Sequence, residues 1–337
     1  MSVAVIRPVR REDFEEVFAL AKLSGGGMTN LPNDRGALQA RIEFTCESFE
    51  SGATEPGGEV YMMVLDVDGK VVGTCAVFSA IGLEAGFVNF KIIDEFHYST
   101  RLGRRTRRRV LMPSHDFTAT AEVGSLFLSP DARGGRFGKF LARARYLFIA
   151  QNPEIVADEV CAELRGWRAP DGSQPFWDSL GRNFFDMEFE DADLHNATYG
   201  NQFIQDLMPR HPVYECLLSE AARACIGRPH ASAQPAFDML IDEGFEFDNY
   251  IDIFDGGPLV DCRVNRIKTV KESTVFKLAA IADVADAPVT LMAAGAVQSF
   301  RCVKEPARID ADRLTVNAQT ARALNVKVGD KVRCVAW

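Results

Sequence analysis

Proton exchange near neutral pH and the gripping of an anion are the two kinds of chemistry that the side chains of this chain suggest. Five histidines are present, His97, His115, His195, His211 and His230, and imidazole is the side chain that titrates in that range. His230 follows Ile226-Gly227-Arg228-Pro229 and precedes a helix expected near Pro235. That is a loop position at an element end, where functional groups often lie; a surface loop histidine is the plainer reading. His97, in Phe96-His97-Tyr98-Ser99 ahead of an arginine cluster, reads equally as a substrate contact or as a turn cap. His211, in Met208-Pro209-Arg210-His211-Pro212, reads as a turn residue. The anion signal lies in Glu122–Ala150. An apolar strand over Val123–Leu128 breaks at Ser129-Pro130, and a loop carrying Arg133, Gly134, Gly135, Arg136 and Gly138 leads into a long amphipathic helix. Glycines let the backbone approach a ligand, and a helix start presents unpaired N–H groups to an anion.

Other elements must position these groups. Ser2–Arg7 reads as a strand and Glu12–Leu23 as a helix, with Phe14, Val17, Phe18 and Ala21 at helical spacing and acids in its first turn. Ser24-Gly25-Gly26-Gly27-Met28 is a flexible breaker, and Leu38–Phe49 a second helix. Tyr61–Leu65 and Val71–Ala80 flank Asp66-Val67-Asp68-Gly69-Lys70, a hairpin pattern. Val160–Glu163 continues as a strand and Pro175–Phe185 as a helix. An echo links Pro175–Phe184 to Pro235–Phe245, each read as a helix running into an aromatic strand. Two related lobes, 1–190 and 191–263, are one reading of it; chance similarity of two helix ends is the other. Composition shifts near Pro258–Arg266, so a boundary is expected near 264. The region 1–263 then precedes a small β-barrel-like domain, 264–337, whose residues Ala323–Val332 end as a turn between strands.

Bulk composition excludes several classes. The 337 residues leave room for two domains, and 47% apolar residues can build a sizeable core. A net charge of -9 opposes general nucleic-acid binding. The eight cysteines form no CxxC pair and read as buried, reduced thiols in a cytosolic protein, not as disulfides or a metal site. Cys161, beside Glu163, is most simply a strand residue. The N-terminus meets charge too early for a secretion signal, and Leu278–Val297, interrupted by Asp283 and Asp286, reads as short strands and not as a membrane span.

Taken in order, the blocks IRPVRREDFEEVFALA, GGGMTNLPND (Gly25–Asp34), FHYSTRL (Phe96–Leu102), EVGSLFLSPDARGGRFGKFLARARYLFIA, CAELRG (Cys161–Gly166), PFWDSLGRNFFDMEFEDAD (Pro175–Asp193), FIQDLMPRHPVYECLL (Phe203–Leu218), IGRPHASAQPA (Ile226–Ala236) and EGFEFDNYIDIFDGGP (Glu243–Pro258) resemble the arginine N-succinyltransferase family, within the GNAT-like acyl-CoA N-acyltransferases. The resemblance spans nearly the whole chain. It implies an α/β (α+β) fold with a GNAT-like core, and transfer of succinyl from succinyl-CoA to the α-amine of L-arginine, the first step of the succinyltransferase route of arginine catabolism. It implies a succinyl-CoA contact at Leu126, with backbone pairing to the pantetheine arm along Ser125–Leu128. Arg133, Gly134, Gly135, Arg136 and Gly138 become the pyrophosphate loop, and His230 the proton donor. It further implies a cytoplasmic enzyme with small-molecule substrates, without metal, nucleic acid or membrane, and an oligomer, a homologous sister subunit being one form. Two departures stand out: Arg136 occupies the position of a loop glycine, and Ala233 stands where the family tends to have Thr.

Acyl transfer to an amine requires an anchored thioester, a neutral amine, a stabilised carbonyl oxygen and a proton for the departing thiolate. An arginine acceptor needs acids for its guanidinium and a cationic fork for carboxylates. Glu122, Glu163 and Arg165, at or beside expected strands, suit a cleft; each alone reads more simply as a salt-bridge partner. Asp252 and Asp255, by the Gly256-Gly257 turn, suit an acidic pocket or a solvated turn. Arg101–Arg109 holds six arginines in nine residues; it reads as a solvated, partly mobile loop, as a patch that draws in the CoA anion, or, against the net charge, as a nucleic-acid contact. Direct attack of the amine is favoured because no activated Cys or Ser constellation is seen. Another amine such as ornithine, another acyl-CoA, and a non-catalytic acyl-CoA or arginine sensor remain the alternatives.

Overall fold

In the computed structural model, residues 3–25, 28, 30–199 and 202–337 are described; Gly26 and Gly27 of the expected breaker lie outside them. The fold is mixed α/β, and Cα packing divides the chain into two compact units. One gathers Met1–Ala80, Ala121–Val160 and Arg263–Trp337; the other gathers Ile81–Thr120 and Cys161–Cys262.

The first unit opens with β1 (Val5–Pro8), α1 (Phe14–Leu23), α2 (Arg35–Glu50), β2 (Val60–Val67) and β3 (Lys70–Phe78). Asp34 caps α2 by accepting from the Ala37 N–H at 2.8 Å. Asp68 and Gly69 both have positive φ, 58° and 78°, the conformation that a two-residue hairpin needs to match strand twist. Then come β6 (Ala121–Leu128) and α3 (Phe137–Gln151), and from the C-terminal segment β11 (Thr274–Ile281), β12 (Val289–Ala294), β13 (Arg301–Pro306), β14 (Arg308–Asp310), β15 (Arg313–Val316) and β16 (Lys331–Ala336), with helices α10 (Lys268–Glu272) and α11 (Ala318–Leu324). Neighbouring strands run β14-β15-β11-β16-β12-β13-β1-β2-β3-β6, antiparallel except for the β11–β15 pair. The strand–helix–helix–strand order leading to a strand, loop and helix is the one that the GNAT resemblance implies.

The segment after 263 is β-rich, and it shares its sheet with the N-terminus, since β13 pairs with β1. Val5 of β1 sits in one apolar cluster with Leu278, Met292, Val303, Leu314 and Val332. The turn expected at Ala323–Val332 follows a helix, α11, and not a strand; Asn325 ends that helix in the left-handed conformation at φ 56°. Arg143 of α3 donates to Thr269 Oγ1 at 2.8 Å and to the Ala336 carbonyl at 2.9 Å, so the C-terminal segment fixes the helix that follows the glycine loop.

The second unit holds β4 (Asn89–Ser99), β5 (Arg104–Ser114), β8 (Val213–Tyr214), β9 (Glu246–Ile251) and β10 (Pro258–Arg263), in the order β10-β9-β4-β5-β8. β7 (Glu159–Glu163) divides between the units at Val160. Its helices are α4 (Pro175–Ser179), α5 (Arg182–Phe185), α6 (Phe189–Tyr199), α7 (Gln202–Leu207), α8 (Glu220–Cys225) and α9 (Gln234–Asp242). Phe90, Trp177, Phe185, Phe189 and Ile251 belong to its core. The expected helix Pro175–Phe185 is two pieces, α4 and α5, because Leu180 leaves the helical conformation at φ -124° and ψ -69°; Gly181 beside it packs so closely on Trp177 that a Cβ there would lie 2.3 Å from the ring. The proposed echo ends there: α5 is followed by another helix, whereas α9 leads into strand β9. Arg104–Arg109, read as a loop, lies in β5, because β4 supplies a full antiparallel partner from Asn89↔Ser114 to Ser99↔Arg104.

Candidate active site

The register of β3 against β6 pairs Ala76 with Gly124 and Thr74 with Phe127. Two residues, Ser125 and Leu126, therefore stand opposite Cys75 alone, which is a β-bulge. Ser125 adopts φ 50°, a conformation that costs a residue with a Cβ about 1 kcal/mol or more. Two hydrogen bonds hold it there. Its hydroxyl donates to the Asn30 carbonyl at 2.8 Å, and its own carbonyl accepts from Thr74 Oγ1 at 2.8 Å. The Ser125 side chain is thus committed inward, and the strand meets a ligand through backbone groups and the half-buried Leu126 and Leu128.

Beyond the strand, Gly134 has φ 99° and Arg136 φ 59°. Arg136 occupies the position of the expected loop glycine and also adopts the left-handed backbone that glycine favours. It is the N-cap of α3, whose first turn carries no acid, so the exposed N–H groups keep their full attraction for an anion. A Cβ on Gly134 or Gly138 would meet no atom within 4 Å; the backbone there faces open space that a ligand can enter. Sequence reasoning missed Lys304 of β13. Its ammonium donates to the Gly135 carbonyl at 3.1 Å. Burial lowers its pKa, as does the neighbouring Arg136. A separation of 169 residues hid this contact from any spacing argument. Arg136, Lys304 and the helix start bring positive charge to this end of the loop, a setting that suits an anion.

Glu122 begins the same strand and is buried. Asn30 Nδ2 donates to its Oε1 at 2.9 Å. Burial pushes its carboxyl up to about 7, against the pull of Asn30, Arg41 and Arg145. A carboxyl poised near neutrality beside a bulge is the kind of group that exchanges protons with a substrate amine.

On the second unit, His230 is half-buried in a small backbone ladder. Its N–H donates to the Arg165 carbonyl at 2.8 Å, Trp167 N–H donates to the Arg228 carbonyl at 3.0 Å, and Gly166 bridges Pro229. Asp255 anchors the ladder by accepting from Gly166 N–H at 2.6 Å and from Gly257 N–H at 2.8 Å. Gly166 is required, because a Cβ there would lie 2.5 Å from Asp255 Oδ1. The imidazole Nδ1 accepts from the Ser232 N–H at 3.1 Å and lies 2.7 Å from Ser232 Oγ. In the neutral ring the hydrogen therefore resides on Nε2. Burial first, then Arg165 and Arg168, lower the pKa of His230 from its ordinary 6.5, opposed by Asp255. The hydroxyl expected to be missing at Ala233 is supplied one residue earlier, by Ser232.

The other expected residues are placed as follows. Arg165 joins His230 through its backbone and its charge. Glu163 ends β7, two residues before Arg165. His97 lies on the exposed part of β4 with Nε2 3.3 Å from Glu95 Oε2. Asp252 and Asp255 form no solvated turn; Asp252 accepts from Phe254 and Asp255 N–H groups at 2.7 and 2.8 Å, and burial beside Asp255 raises its pKa well above the ordinary value. Among the described residues no cluster of three His, Cys, Asp or Glu is arranged to hold a metal ion.

On the first unit, a bulged strand, a glycine-bearing loop and an open helix start are features of an α/β acyltransferase. The sequence profile of the arginine N-succinyltransferase beta subunit matches residues 4–269, and that of its C-terminal domain residues 274–336. The chain belongs to the arginine N-succinyltransferase family. It is 39% identical over 332 residues to arginine N-succinyltransferase subunit beta of Pseudomonas aeruginosa, covering 98% of this chain and 97% of that one. It is 37% identical over 334 residues to arginine N-succinyltransferase of Escherichia coli, covering 98% and 97%. The solved structure of arginine/ornithine succinyltransferase subunit AI from Pseudomonas aeruginosa superposes with a TM-score of 0.90 at 32% identity, covering 100% of this chain and 99% of that one.

Proposed function

We propose that this chain transfers the succinyl group of succinyl-CoA to the α-amine of L-arginine. The amine nitrogen forms a bond to the thioester carbonyl carbon, the carbon–sulfur bond breaks, the amine loses a proton and the thiolate gains one. The observation that carries the reading is the Ser125–Leu126 bulge running into an open helix N-terminus, in a chain of this family. Backbone groups along Ser125–Leu128 hold the pantetheine arm, and Leu126 forms an apolar wall beside the thioester. Arg133, Gly134, Gly135, Arg136 and Gly138, with Lys304, hold the pyrophosphate.

His230 gives the thiolate its proton from Nε2. A neutral imidazole is a weak acid, so this role requires an imidazolium. The carboxylate of the succinyl group, beside Arg165 and Arg168, offsets the charges that depress the histidine and raises its proton affinity when donor is bound. Glu122 accepts the amine proton. Glu163 and Arg165 contact the acceptor, and His97 is a further candidate contact on β4. The enzyme is cytoplasmic, and it is oligomeric, the second reading being supported by relatives named as subunits.

Thiol release with succinyl-CoA and a panel of amines tests the reading: release with arginine supports it. CoA binding without release for any amine would favour a sensor. Ornithine is the second acceptor to include, because the relative with a TM-score of 0.90 is named arginine/ornithine succinyltransferase.

A further inference from the structure

Past its first residues, the β4–β5 hairpin leaves its sheet. β4 pairs β9 only at Phe90 and Lys91, and β5 pairs β8 only at Val110 and Leu111. From there to the tip the two strands have only each other as ladder partners among the described residues. A two-stranded ribbon is marginal in water, and open strand edges invite another chain.

Alternation places Asp94, Phe96 and Tyr98 on one face, opposite Arg109, Arg107 and Arg105. Phe96 is 77% exposed, Tyr98 60%, and Leu102 at the tip 71%. Three large apolar groups so close together and so exposed are unusual for a monomer surface. The arginines are ordered over them, Arg107 lying 6.0 Å from the Phe96 ring and Arg105 5.3 Å from the Tyr98 ring. Arginine and aromatic side chains are the types that anchor protein interfaces.

Charge says what the face meets. Over Asn89–Ser114, Lys91 and six arginines against Asp94 and Glu95 give the ribbon a charge of +5; with the chain at -9, the remainder carries -14. The ribbon is thus opposite in net charge to the rest of its own chain. A nucleic-acid backbone fits less well, since Arg107 is already paired with Asp94 and Arg109 with Glu215. We propose that the β4–β5 ribbon is an arm that docks on a second copy of this chain, Phe96, Tyr98 and Leu102 supplying the apolar contact and Arg105 the charge. Its reciprocal placement on both copies would give a two-fold dimer.

Light scattering on the purified full chain, across a dilution series and two salt concentrations, tests this. The expected result is a dimer that dissociates on dilution and more readily in high salt. Phe96→Ser with Tyr98→Ser, and separately Arg105→Glu, should each weaken it roughly ten-fold or more. Because these side chains are exposed, thermal unfolding should start from an unchanged circular dichroism spectrum in both variants. A chain that stays monomeric throughout, or a dimer indifferent to both variants, overturns the proposal. So does a monomer whose arm retains a DNA duplex.

Discussion

The hydroxyl of Ser125 donates to the carbonyl of Asn30 at 2.8 Å, joining the bulge of β6 to the connection between α1 and α2. Asn30 also donates to Glu122, so one residue fixes both the strained backbone and the buried carboxyl.

The strain makes Ser125 a sharp test. Ser125→Ala keeps the unfavourable φ and leaves the Asn30 carbonyl without that donor, and should cost about 1–3 kcal/mol. Ser125→Gly loses the same bond but accepts the positive φ, and should cost less. Chemical denaturation of both variants checks the order; a more damaging Gly would refute it.

Arg136 separates backbone from charge. Arg136→Gly relieves the left-handed conformation, so stability should hold or rise by up to about 1 kcal/mol. The KM for succinyl-CoA should rise several-fold if Arg136 holds the pyrophosphate as proposed. Lys304→Gln should raise the same constant by about five-fold, on the scale of one partly screened charge, without changing the arginine KM. Steady-state kinetics with each substrate varied in turn decides.

His230→Ala should lower kcat by roughly 10²–10⁴ with the fold intact. In the free protein the ring should titrate below 6.5, because burial and two arginines disfavour its charged form. Arg168→Gln should move the midpoint up. Ser232→Ala should move it down and reduce kcat about ten-fold. A charged ring must donate from Nδ1, and Ser232 Oγ can accept that hydrogen whereas the Ser232 N–H cannot. Histidine NMR titrations read all three shifts.

Glu122 makes stability fall as pH rises. Its folded carboxyl titrates at about 7, above the ordinary 4.5. The folded state therefore holds a proton that the unfolded chain has lost, and the stability present below pH 4.5 is lost as pH rises through about 7. Glu122→Gln removes this dependence and should stabilise the protein at pH 8 by roughly 2–3 kcal/mol, with little effect at pH 4. Unfolding midpoints at the two pH values check it. The same variant should lower turnover if the carboxyl accepts the amine proton.

The sequence by itself determined the strand, loop and helix of 122–150, the Asp68-Gly69 hairpin, α1 and α2, because hydrophobic period, glycine and capping residues act within a few residues of one another. The order of its blocks also determined the family. Only the tertiary structure decided what those elements hold. The bulge at Ser125 exists because β3 is one residue shorter than β6 across it, and Asn30, ninety-five residues away, secures it. Lys304 reaches the glycine loop because β13 joins the N-terminal sheet. His230 owes its tautomer to Ser232, nearby in sequence, but its depressed proton affinity to burial beside Arg165 and Arg168. The arginine-rich segment gave no sign of being a strand until β4 paired with it. Register, burial and the meeting of distant side chains are properties of the packed chain, and no local pattern encodes them.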